Sequence, residues 1–271
     1  MFKPLKIIDT PIVPNERVLF WDIETSPLKA WLWHLGEQVI RHDQLCEGHK
    51  YVDIICITYC FNDGKPAKSL DWGYHKQDSG PMIEKFDKII TNCDVAIGKN
   101  SDRFDNKHLN TMRFLKDLPG MPDWIKYTDD LEKQMRKYFN FPSNALDYVS
   151  DLLGLGGKIK MERQQWIDIV EKRRPAALQE MITYGKKDVE DTRAIWNMMS
   201  SHFEPRHKAV PHSRLVGDSR VSCKQCGSTN LINNGIRWSN GREFQRYECK
   251  ECHRYAGKAP ISAKGRIGNI S

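Results

Sequence analysis

Hydrophobic positions along the chain switch between period 2 and period 3.6, and each switch marks an element. Val18-Leu19-Phe20-Trp21 is a wholly apolar run with the β-branched and aromatic bias of a strand buried on both faces. Val52 to Phe61 predicts a second strand, ended by the hairpin signal Asn62-Asp63-Gly64, and Ser69 to Tyr74 predicts a third. Pro81 to Cys93 then reads as a helix, with Pro81 at its start and Met82, Phe86, Ile89 and Ile90 on one face. Asp94 to Gly98 is a short buried strand, and K-N-S-D-R-F-D-N-K-H-L leaves it to enter another helix. Leu115 to Trp124 reads as a loop. Asp129 to Phe139 opens with a capping-box pattern, Asp129 to Glu132, and predicts a helix. Ser143 to Leu153 predicts another, ended by Gly154, Gly156 and Gly157, and Arg163 to Lys172 a short one. Pro175 to Ser200 is the longest, with Met181, Val189, Thr192, Ile195, Trp196 and Met199 as its core stripe. Residues 1–16, with three prolines, read as an extended lead-in. Trp31 and Trp33 fall where no period is clear; they read as packing residues, with stacking on bases as the alternative use.

Three strands in antiparallel connection, a helix, a strand and further helices predict an α/β domain of ribonuclease H-like type, a mixed sheet flanked by helices. The polar residues that break this pattern are mostly carboxylates. Asp22 and Glu24 follow the apolar run directly, and strand alternation projects them from one face. A buried carboxylate needs a partner or a cation, and two convergent oxygen ligands suit a hard divalent ion. Asp105 falls near the C-terminal edge of the Asp94 to Gly98 strand, where open α/β sheets place ligands, with Asp102 as a rival. Tyr184 and Asp188 are one helical turn apart on one face.

The D-I-E of Asp22 to Glu24, the N-x-x-x-F-D of Asn100 to Asp105 and the Y-x-x-x-D of Tyr184 to Asp188 resemble the three motifs of DEDD-type 3′–5′ exonucleases. The similarity is to stand-alone, phage-type relatives of the family B DNA polymerase proofreading domain. It runs from about Arg17 to Met199 and includes S-N-A-L-D-Y of Ser143 to Tyr148 and L-G-L-G-G-K of Leu153 to Lys158. Tyr at 184 and Thr at 183 fit the tyrosine branch. The resemblance implies a two-metal hydrolysis of phosphodiester bonds with Mg²⁺ or Mn²⁺. It gives Asp22, Glu24 and Asp188 to the ion that activates water, Asp22 as bridge to a second ion, and Asp105 as support for that second ion. The Tyr184 hydroxyl would orient the attacking water, while Asn100 and Phe104 would lie around the terminal nucleotide. A phage or mobile-element origin fits the resemblance.

The eight cysteines divide into two sets. Cys46, Cys56, Cys60 and Cys93 read as reduced core thiols. Cys223-x-x-Cys226 and Cys249-x-x-Cys252, 22 residues apart, supply four thiolates for one structural Zn²⁺ in a β-rich ribbon. This stretch resembles zinc ribbons of insertion-sequence transposases, and Asn234-Gly235 and Asn240-Gly241 read as tight turns within it. Charge follows the same division. Residues 205–271 hold 13 Lys/Arg against 4 Asp/Glu, net +9, leaving residues 1–204 with 29 against 31, net −2. Arg237, Arg242 and Arg246, with Trp238 and Tyr247 interleaved, predict a nucleic-acid surface; docking of a replication or repair protein is the competing use. The expected organisation is a lead-in at 1–16, a nuclease domain at 17–204, a linker at 205–220 and a ribbon with basic tail at 221–271. No apolar run has the length of a membrane helix, and the N-terminus lacks a signal-peptide pattern, so an intracellular, cytoplasmic protein without a membrane partner is expected. The implied substrate is DNA. A 3′–5′ exoribonuclease and a non-catalytic nucleic-acid-binding protein on a nuclease scaffold are the alternatives.

Overall fold

The computed structural model describes residues 17–37, 39–48, 50–120, 128–156, 159–202, 223, 228–239, 242–251, 253 and 255–260. The predicted lead-in and linker, the loop from residue 121, Gly157, Lys158, Cys226, Cys252 and the Asn240-Gly241 turn lie outside these. The chain divides into two compact units, one holding residues 17–204 and the other residues 205–271.

The first unit is built on a five-stranded sheet in the order β3-β2-β1-β4-β5. Strand β1 is Val18–Thr25, β2 Ile54–Phe61 and β3 Lys68–Asp71, joined antiparallel. After helix α1, Gly80–Ile90, strand β4 (Val95–Gly98) returns parallel to β1. Helix α2, Asp105–Leu115, leads to β5, Thr128–Asp130, which is parallel to β4. Helices α3 (Leu131–Tyr138), α4 (Leu146–Leu152), α5 (Arg163–Val170) and α6 (Pro175–Met199) complete the unit. A mixed sheet with helices on its faces is the arrangement expected of a ribonuclease H-like domain.

Alternation along β1 divides the core in two. Leu19, Trp21 and Ile23 pack with Met82, Phe86 and Ile90 of α1 and with Leu109 and Met112 of α2. On the other face, Cys56 of β2 packs with Ile169 of α5 and with Leu178 and Met181 of α6. Asp22 and Glu24 have the parity opposite to Trp21 and Ile23, so they point toward the side where α6 crosses β1 and β2.

The first unit differs from the pattern-based expectation at three points. Strand β5 is missed because its three residues, Thr-Asp-Asp, carry no apolar signal. The cap of α3 is therefore one residue later, with Asp130 accepting from the Glu132 and Lys133 amides. Trp31 and Trp33 are not packing residues: they are 71% and 89% exposed, on an irregular segment between β1 and β2. The four scattered cysteines are free thiols, and Cys46, Cys56 and Cys60 are buried. Burial pushes Cys60 and Cys93 up to about 12, so both stay protonated.

The second unit contains an antiparallel sheet of β6 (Leu231–Ser239), β7 (Arg242–Cys249) and β8 (Tyr255–Pro260). Asn234-Gly235 is not a turn. Gly235 takes φ 75° inside β6, at a register shift between Asn233 and Ile236, so the pair forms a bulge and the strand continues. Cys223 and Cys249 are both buried and pack with Leu231 and Tyr247.

Candidate metal centre

The site lies where β1 runs beyond its parallel partner. Strand β4 pairs with β1 only from Val18 to Phe20, so the next β1 amide on that side, Ile23 N–H, needs another acceptor. Asp105, the first residue of α2, supplies it: its Oδ1 accepts from Ile23 N at 3.0 Å. The turn that makes this possible depends on Gly98. A Cβ there would lie 2.5 Å from the Cβ of Ser101 and 3.2 Å from the Trp21 carbonyl. Asp130 then fastens the turn, accepting from Asn100 N at 3.0 Å and Asp102 N at 3.2 Å. Asn100 takes φ 60°, a left-handed conformation that asparagine tolerates.

From the opposite side α6 delivers Asp188. In the sheet Asp22 pairs with Thr58 and Glu24 with Cys56. Gly185, one helical turn before Asp188, packs on Thr58; a Cβ at 185 would meet Thr58 Cγ2 at 3.0 Å and Oγ1 at 3.1 Å. This close approach brings the helix down onto β1 and β2. Carboxylate oxygens of Asp22, Glu24 and Asp188 lie within 4.8 Å of one another, all half-buried.

The electrostatics follow from that convergence. Burial and then the charges of Asp105, Glu24 and Asp188 push the Asp22 carboxyl well above its usual range. Burial likewise raises Asp105, to about 7, against the hydrogen bond from Ile23 N. Tyr184 is hydrogen-bonded to Asp188, and burial together with the Asp188 and Glu24 charges holds its hydroxyl far above the ordinary tyrosine range. Lys99, which pairs with Glu132 at 2.8 Å, lowers both Asp22 and Asp105. Sequence reasoning missed Lys99 and Gly185. The only signal for Gly185 was a glycine in a helix interior, which costs about 1 kcal/mol and usually has a packing reason.

Of the acidic residues singled out from the sequence, Asp22, Glu24 and Asp188 form the tight group. Asp105 is adjacent: its charge raises Asp22, and its Oδ1 accepts from the Ile23 amide. Asp102 instead pairs with Lys133 of α3 at 2.5 Å. Phe104, 39% exposed, caps α2 with its ring 4.5 Å from that of His108. In the second unit the sheet register separates the interleaved residues. Arg237 pairs with Phe244 and shares its face with Arg246, whereas Trp238 pairs with Glu243 on the face that carries Tyr247. The side chain of Arg242 lies outside the described residues.

The tight group fits a divalent cation. An ion about 2.0–2.6 Å from each of several oxygens requires those oxygens to lie roughly 3–5 Å apart, and the donor set is all oxygen. A cation among these carboxylates would offset the burial and the repulsion that together raise Asp22.

No protein-family model and no curated protein matches the sequence. Among solved structures, the chain is similar to the family B DNA polymerase of the hyperthermophilic archaeon Pyrobaculum calidifontis, with TM-score 0.52 and 17% identity. The match covers 69% of this chain and 25% of the polymerase, so the chain spans about a quarter of that protein. The likeness is one of fold.

Proposed function

We propose that the chain is a metal-dependent 3′–5′ exonuclease that hydrolyses DNA from single-stranded or frayed 3′ ends. The observation that carries this reading is the convergence of Asp22, Glu24 and Asp188 from one strand and one distant helix, with Tyr184 hydrogen-bonded beside them. The shared fold with part of a DNA polymerase agrees with it, since family B polymerases contain a proofreading exonuclease. Asp22, Glu24 and Asp188 would hold Mg²⁺ or Mn²⁺, and Asp105 would support a second ion. When bound, such a pair of cations makes water a stronger nucleophile and offsets charge on the leaving 3′ oxygen. Burial favours the protonated Tyr184 hydroxyl, which would act as a hydrogen-bond donor that orients the attacking water and not as a base. Phe104, part exposed at the head of α2, offers a face on which the terminal base stacks, with Asn100 beside it.

The second unit, in this reading, is a zinc ribbon. Cys223 and Cys249, buried together, would hold one Zn²⁺ with Cys226 and Cys252. Its Arg237 and Arg246 face tethers DNA near the nuclease unit.

End-labelled DNA and RNA strands, incubated with and without Mg²⁺, test the proposal. Loss of 3′-terminal nucleotides from DNA is expected only with the metal, and Asp22→Ala should reduce it by about 10³-fold or more while sparing binding. Wild-type protein that binds strands yet shortens none would leave a non-catalytic binding protein as the better reading.

A further inference from the structure

An open groove of about 1250 Å³ lies between the β1–β2 segment and α5. Its wall begins at Pro27, three residues beyond Glu24, hence within about 11 Å of it along the chain. The wall is tied to the site strand, because the Trp166 indole donates to the Thr25 carbonyl at 3.2 Å. Helix α5 packs on the sheet face from which Asp22 and Glu24 project. The lining is apolar, from Leu28, Leu32, Ile40, Trp166 and Ile167, and Leu28 and Ile40 are each 49% exposed.

Charge gives the groove a direction of use. Among the described residues, Lys29, Arg41 and Arg163 line it against a single carboxylate, Glu171, which Lys29 binds at 3.1 Å. The guanidinium charges of Arg41 and Arg163 therefore outnumber the acidic groups among the described lining residues. The volume exceeds the roughly 300–1,000 Å³ of a pocket for one compact ligand and suits an extended chain. A peptide strand would need a free backbone edge. Here the segment closes on itself: Trp31 N bonds Gln44 O at 2.9 Å and Cys46 N bonds Lys29 O at 2.8 Å.

We infer that this groove holds the single-stranded portion of the substrate upstream of the cleaved end, with bases on the Leu28, Ile40 and Trp166 floor and phosphates at Arg41 and Arg163. The inference rests on the exonuclease reading and adds to it a specificity for strands several nucleotides long. It also gives the exposed β1–β2 segment a use.

The test compares two substrates, a decathymidylate strand and the p-nitrophenyl ester of thymidine 5′-monophosphate, which is too short to reach the groove. For the Arg41→Ala/Arg163→Ala variant, the ratio of kcat/KM, strand over ester, is expected to fall at least tenfold. The slope of log KM against log salt should fall by about 1.4, for two single-strand phosphate contacts at about 0.7 each. Ile40→Ser should lower the same ratio and leave the slope as in wild type. A folding defect lowers both activities and leaves the ratio alone, so the ratio reports the groove. Variants whose ratio and slope both match wild type would overturn the assignment and leave the groove to a protein partner. Wild-type protein inert on both substrates would instead overturn the exonuclease reading, and the groove assignment with it.

Discussion

Replacing Asp105 by Asn keeps an acceptor for the Ile23 amide and removes a buried charge, so the variant isolates what that charge does to folding. In the folded protein Asp105 titrates at about 7, against an ordinary value of 3.8. Below about pH 4 both states hold the proton and the site contributes nothing. Between about pH 4 and pH 7 the folded state keeps the proton that the unfolded state has released, so stability falls as pH rises. Above pH 7 the loss is constant. A gap of about three units at 1.36 kcal/mol each sets an upper figure of about 4 kcal/mol, and relaxation around the carboxylate makes about 2–4 kcal/mol the working range.

Coupling acts in the same direction, because Asp105 is the foremost of the charges that raise Asp22. The assay is urea unfolding of metal-free protein in chelator, followed by tryptophan fluorescence, with Trp21 and Trp196 buried in the first unit as reporters. Asp105→Asn should match wild type near pH 4 and exceed it by about 2–4 kcal/mol near pH 8. Mg²⁺ should then stabilise wild type more at pH 8 than at pH 5, since binding must expel the proton that burial retains. A stability difference that does not change with pH would refute the account, as would a variant less stable than wild type at pH 8.

Gly185→Ala sets a helix-propensity gain of about 1 kcal/mol against contacts of 3.0 and 3.1 Å with Thr58. Overall stability should change by less than about 1 kcal/mol while Mg²⁺ affinity, read by calorimetric titration, falls about tenfold; Thr58→Ser should restore part of it. Lys99→Gln removes the cation that lowers Asp22 and Asp105, so the acid limb of the activity profile should move to higher pH. Removing residues 205–271 should weaken DNA binding and flatten its salt dependence, and metal analysis of the intact chain should find one zinc per molecule.

How much of this was legible depended on whether a residue announced its own environment. Val18 to Trp21 followed by Asp22 and Glu24 did so, because period-2 alternation fixes which side chains share a face whatever the rest of the fold does. Asp188 was legible only through its spacing from Tyr184, since nothing local says which element its helix will cross. The choice between Asp102 and Asp105 needed the length of β4: the strand stops before Ile23, and only Asp105 reaches the amide left over. Thr128–Asp130 hid a strand because two aspartates read as a helix start, which Asp130 also is. Asn-Gly at 234–235 reads identically as turn or bulge, because both need φ above zero at the glycine.

The same features explain why the carboxylates gather at this edge although their charges oppose folding. Each is placed by backbone geometry that serves another purpose: Asp22 and Glu24 by the strand pleat, Asp105 by an orphan amide, Asp188 by the close packing of Gly185 on Thr58. The backbone at each position is held by sheet pairing or by helix packing. Burial, with mutual repulsion behind it, raises the Asp22 and Asp105 carboxyls, and the oxygens of Asp22, Glu24 and Asp188 lie close enough together to share a cation. Pre-organisation of this kind lowers the reorganisation needed when metal binds, and its cost is carried by the two apolar layers on either side of the sheet.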